Sequence, residues 1–247
     1  MKAALRIGAV ATGAALALGA VGTAYAASPG PNSTASAGSG AKGKSGSTHA
    51  VGLAAQQKLA TSRIEGRLNT LHALSLAVGD SKYLTSGERG TLSKQISSDA
   101  SGLTALKAKV ADATTVQEVR ADEVAVVDDF RVYLLMVPQV RLTEALAAET
   151  DAASTLQKAY VALSDLLGKQ TAGGGSAQKS ELAGLRSQVI AAQAAIGDEI
   201  AVVLAIQPGP NAGAIHSALA PAASAVKTAH ADLLTARGDA QALRASL

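Results

Sequence analysis

From Gln56 onward, leucine, isoleucine and valine return at alternating steps of three and four residues, the pattern of helices packed through long apolar seams. The first stretch predicts a helix from about Val51 to Val78. Ile64, Leu68, Leu71, Ser75 and Val78 share its stripe, Leu74 lies beside it, and Gly79-Asp80 supplies a stop. The second opens at Thr85-Ser86-Gly87-Glu88, where the threonine oxygen and the glutamate can each satisfy an end amide. Its seam runs Leu92, Ile96, Asp99, Leu103, Leu106 and Val110. Asp99 stands where an apolar residue belongs. It reads as a partly exposed seam position or a register device, with a catalytic aspartate as the sharper alternative.

A second capping box, Thr115-Val116-Gln117-Glu118, opens a third helix that the pattern carries to about Leu167. Val119, Val126, Phe130, Tyr133 and Val137 form its first stripe, and Val127, Leu134 and Leu135 widen it until the stretch is apolar nearly all round. This half is expected to be the most buried part of the fold; its valines also suit a strand. Pro138 removes a backbone donor and predicts a kink. Leu142 to Leu167 then step on in fours and threes.

Gly173-Gly174-Gly175-Ser176 reads as a joint. A fourth helix follows with Leu182, Leu185, Val189, Ala192, Ile196, Glu199, Val203 and Ile206 in register, closed by Gln207-Pro208-Gly209-Pro210-Asn211. The fifth carries Ile215 to Leu243, with Pro221 inside the pattern as a kink or a first-turn proline. The fold class is therefore all-α, an elongated antiparallel helical bundle. Two tandem three-helix bundles, residues 49–137 and 138–247, would share the long helix kinked at Pro138. The competing arrangement is one compact bundle of five or six helices folded back there.

Ahead of the helices, Lys2 and Arg6 precede an uncharged run from Ile7 to Gly22, and Ala24-Tyr25-Ala26 offers small residues where a signal peptidase reads. Residues 1–26 are expected to be a cleaved signal peptide, because the run is short for a span and diluted by glycines. Residues 27–48, rich in Gly, Ser, Pro and Ala, read as a flexible linker. Later apolar runs are interrupted by charges, so no stable membrane insertion is expected after cleavage. Cysteine is absent, which excludes disulfides and a lipidated cysteine.

An isoelectric point near 9.2 suggests nucleic acid until the charges are located. Residues 50–247 hold 18 basic and 19 acidic side chains, and the chain has one Phe and no Trp. Neither a basic face nor stacking aromatics are at hand, so nucleic acid is not an expected partner. Residues 50–111 carry eight basic and four acidic groups, and residues 112–165 four basic and ten acidic. The first two helices should therefore attract the third through pairs that are individually weak.

Catalytic chemistry finds little support in the sequence. No Glu-x-x-His step accompanies His72, His216 or His230, and there is no Gly-x-Ser-x-Gly elbow. Asp122, Glu123, Asp128 and Asp129 form an acidic group that reads as a solvated, partly paired face or as a weak cation site. Asp128-Asp129-Phe130-Arg131-Val132-Tyr133 is the densest mixture of charge and aromatic character in the chain. Arg131 can pair with Asp128 one turn back, and a ligand cleft would be sought beside Asp128, Arg131 and Tyr133. A salt-bridged core helix is the plainer reading of the same residues. No catalytic residue, metal or cofactor is expected.

The run Val127 to Pro138, following the Leu92 to Val110 repeat with its Ser101-Gly102-Leu103-Thr104-Ala105-Leu106 core, resembles uncharacterised secreted all-helical proteins of actinobacterial type. The resemblance covers roughly residues 55 to 165. It implies export and helix, and no activity. The expectation is a secreted, non-enzymatic helical binding or structural module at the cell envelope. Its partner would be a cell-wall component, another protein or a second copy of itself. The alternative is a soluble extracytoplasmic carrier or sensor for a small ligand or cation, and an enzyme ranks third.

Overall fold

In the computed structural model, residues 45–169 and 175–247 are described, with side chains from residue 52 onward. The predicted signal peptide, all but the last four residues of the predicted linker, and Gly173 and Gly174 of the glycine joint lie outside them. The described residues form α1 (Ser45–Asp80), α2 (Ser86–Asp112), α3 (Val116–Asp128), a π-helical turn (Val132–Met136), α4 (Val137–Gly168), α5 (Ser176–Ile196), α6 (Glu199–Ala205) and α7 (Ala212–Ser246). They contain no strand, so the valine run is not one. α1 begins at Ser45, earlier than Val51 and inside the end of the expected linker.

Both capping boxes form. The Thr85 amide donates to Glu88 Oε2 at 2.8 Å and the Glu88 amide to Thr85 Oγ1 at 3.3 Å. Thr115 and Glu118 repeat the exchange. The far end of α2 is closed from outside the helix, because Gln57 Nε2 on α1 donates to the carbonyls of Val110, Ala111 and Ala113. These are end carbonyls that no helical amide reaches.

Buried side chains form three groups. The first joins Ile64, Leu71 and Val78 of α1, the α2 seam, Val119 and Val126 of α3, and Val132, Met136 and Val140 just beyond. The second joins Leu146 and Ala153 of α4 with Ala192, Ile196, Val203 and the α7 stripe from Ile215 to Leu233. The third closes the ends of α4, α5 and α7 around Leu163, Leu185, Val189 and Leu243. Ile200 and Leu204 of α6 touch the first group while Val203 enters the second, so this short helix is shared. α5 and α7 pack against each other more extensively than any other two elements, and buried Ala192, Ala222, Ala229 and Ala236 leave room for their approach.

Three expectations change. The long third helix does not run through to a kink at Pro138; it breaks at Asp129–Arg131, where Arg131 takes φ 43° and ψ 35°. Pro138 is instead the second residue of α4, directly after the π turn, and the backbone stays helical on either side of it. The expected most-buried half is only striped. Val119 and Val126 are buried, whereas Val124, Val127 and Tyr133 are exposed. The fourth helix divides at Gly197, whose φ of 44° lies in the left-handed region that glycine enters freely.

Pro221 lies inside a continuous α7. Ser176–Ala205 is long and apolar enough, by length and composition, to cross a membrane. Among the described residues it is two helices, with Leu185, Val189, Ala192 and Ile196 set into the core.

Candidate functional site

The break after α3 is held by one side chain. Arg131 Nη2 donates to Asp128 Oδ1 at 2.7 Å and to the Pro210 carbonyl at 2.7 Å, and Nε donates to the Gly209 carbonyl at 2.8 Å. A left-handed non-glycine residue costs about 1–2 kcal/mol, and hydrogen bonds from a charged donor contribute about 1.5–3 kcal/mol each. The contacts therefore outweigh the strain. They fasten the α6–α7 loop to the end of α3, and the chain re-enters helix through the π turn, where the Val137 amide reaches the Val132 carbonyl.

Asp128 and Arg131 thus meet in an ion pair, and Arg131 is only 10% exposed. Tyr133 goes elsewhere. It is 54% exposed, the Arg67 guanidinium of α1 stands 5.2 Å from its ring centre, and a Cβ added at Gly66 would lie 3.5 Å from its hydroxyl. The three residues singled out in the sequence do not converge on one point.

A cleft of about 250 Å³ opens beside them. It is lined by Gln95, Ser98 and Asp99 of α2 and by Asp129 and Phe130 of the break. Leu135, Met136 and Gln139 also line it, with Ile206, Gln207 and Pro208 from the α6–α7 loop. Phe130 is half-buried and seated on Gly102 of α2, where an added Cβ would fall 2.4 Å from Cε1 of the ring. Glycine at 102 therefore decides where this ring can lie.

The polar part of the lining has a definite sense. Gln95 Nε2 donates to the Leu204 carbonyl at 3.0 Å. Gln139 is buried, and its Nε2 donates to the Val203 carbonyl at 2.7 Å and the Ile206 carbonyl at 3.4 Å. Reversing either amide would set oxygen against carbonyl oxygen, so the orientation is determined. Both glutamines turn their amide nitrogens onto carbonyls at the end of α6. Gln95 Oε1 is left buried with no donor, a state that costs about 1–3 kcal/mol. Burial pushes the Asp99 carboxyl up to about 6, with no hydrogen bond or neighbouring cation to offset it.

Other expected features are occupied structurally. Glu123 of the acidic group accepts from Arg63 of α1, and Lys107 of α2 pairs with Glu65 of α1 at 2.6 Å. One of these two pairs joins the basic and acidic regions as the charge distribution implied. His72 and His216 are exposed, and His230 Nδ1 lies 2.9 Å from Glu149 Oε1. Among the described residues no three His, Asp or Glu side chains are grouped to hold a metal ion.

Asp99 carried a signal in the sequence, as the charge on an apolar seam. Gln139 carried a fainter one, since it and Thr143 share the α4 stripe with Met136 and Leu146. Gln95 carried none. No protein-family model, curated protein or solved structure matches this chain.

Proposed function

We propose that the chain works by binding, as an exported carrier or sensor module that takes a small ligand into the cleft between α2, the π turn and the α6–α7 loop. The observation that carries this reading is a cleft of about 250 Å³ in which the polar side chains of Ser98, Asp99 and Asp129 stand beside Phe130, Leu135 and Met136. The size suits a ligand at the small end of the usual range. A thermal-shift screen tests it, since a ligand that binds only the folded state raises Tm with concentration. A panel of small polar and amphiphilic compounds without a single concentration-dependent rise speaks against the reading.

The second reading is recognition of the cell envelope through helix faces, with residues 27–48 as a tether. Exposed apolar side chains on several helices, among them Leu59, Leu76, Ile190 and Val202, favour it. Co-sedimentation with cell walls and with lipid vesicles across a salt series separates the two. In either case we read the fold as tandem three-helix bundles: α1–α3 packed around the first group of buried residues, and α4, α5 and α7 around the others.

A further inference from the structure

We infer that the cleft selects a small organic cation carrying N–H donors, a primary alkylammonium group on a short apolar chain. The inference rests on the small-ligand reading and adds the ligand's chemical class.

The cleft can accept hydrogen bonds and has few to give. The three glutamine amide nitrogens of the lining each donate to a carbonyl, Gln95 to Leu204, Gln139 to Val203 and Ile206, and Gln207 to Ala205. The lining also holds the carboxylates of Asp99 and Asp129, with the Ser98 hydroxyl able to act either way. The cation of the neighbourhood, Arg131, has its guanidinium committed to Asp128, Gly209 and Pro210. An anionic ligand would meet two carboxylates. A neutral alcohol would supply one donor to a site with several acceptors. An ammonium supplies three donors and the opposite charge.

The remaining lining fits the rest of such a ligand. Phe130, Leu135, Met136, Ile206 and Pro208 are apolar, and a short alkyl chain laid against them leaves water with them. The Phe130 ring also offers a face to a cation. A bound ammonium would set a counter-charge beside Asp99, whose ionised form is desolvated in the fold.

The protein carries its own reporters. Phe130 is its one phenylalanine, and Met136 and Met1 are its two methionines. The full chain is labelled with fluorophenylalanine and methyl-labelled methionine and titrated at constant ionic strength with n-butylammonium, n-butanol and n-butyrate. The expected result is a saturable shift of the Phe130 and Met136 signals with butylammonium, at least about tenfold tighter than with the other two. Asp99→Asn is expected to weaken butylammonium about tenfold, and Asp129→Asn several-fold, while both variants keep the dispersed signals of the folded chain. Equal or tighter binding of butanol or butyrate overturns the ligand class and leaves the small-ligand reading standing. Butylammonium binding that is unchanged in both variants also overturns the class. If none of the three probes moves either signal, the class and the small-ligand reading fall together.

Discussion

Replacing Asp99 by asparagine should stabilise the protein, and the size of the gain should depend on pH. Asp99 lies on the α2 seam among Leu92, Ile96, Leu103 and Leu106, and burial raises its carboxyl from 3.8 to about 6. The folded state therefore binds the proton more tightly than the unfolded chain. Below the unfolded value both states are protonated and the carboxyl imposes no penalty. As pH rises from about 4 through about 6 the folded state must ionise a desolvated group, and stability falls. The full shift would correspond to about 3 kcal/mol, but the group is partly open to solvent and screening reduces the penalty to about 1 kcal/mol. Asparagine keeps the shape and cannot ionise. Urea unfolding at pH 7.5 should give Asp99→Asn an advantage of about 1 kcal/mol, shrinking toward zero near pH 4 at unchanged denaturant slope. A variant less stable than the parent at pH 7.5, or an advantage independent of pH, would refute the desolvation argument.

The seat of Phe130 gives a sign reversal. Gly102→Ala should gain about 1 kcal/mol of helix propensity yet destabilise the parent, because the new Cβ displaces the ring; in a Phe130→Ala background the same change should stabilise, as a double-mutant cycle in urea would show. Phe130→Ala itself should cost about 2 kcal/mol, below the range for a fully buried ring because this one is half exposed. At the break, Arg131→Ala loses the bonds to Asp128, Gly209 and Pro210 and keeps the left-handed backbone, for a loss of about 2–3 kcal/mol. Arg131→Gly should lose about 1 kcal/mol less, because glycine relieves the strain; equal losses would show the backbone there to be unstrained. Gln139→Leu removes the donor from the Val203 and Ile206 carbonyls, and amide hydrogen exchange should quicken in α6 before it quickens in α2 or α7. Uniform exchange across the three helices would contradict the assigned clamp.

Local chemistry was legible and tertiary chemistry was not. The capping boxes at Thr85 and Thr115 involve residues three apart and form as read. The α2 seam follows equally from spacing alone. The break at Asp129–Arg131 contains neither glycine nor proline, and the bonds that hold it reach Gly209 and Pro210, far along the chain. Pro138 was the visible helix breaker, yet the chain stays helical through it from the π turn into α4. At Gly197 the signal was present, glycine followed by aspartate, but the apolar step from Ile196 through Glu199 to Val203 carried the pattern across it. Of the site, Asp99 stood out by its charge, and Asp128 and Arg131 by their spacing. Tyr133 shared their segment and faces α1. The glutamine clamps depend on where the end of α6 comes to rest, which no local pattern encodes.

The most direct measurement fills the cleft from an exposed position on its rim. Ser98→Phe should place a ring over the opening while leaving the α2 seam intact, so its thermal stability without ligand should stay close to that of the parent. Compounds that raise the parent's melting temperature should lose that effect in Ser98→Phe. An equal rise in both proteins would place binding elsewhere and contradict the assignment of this cleft as the ligand site.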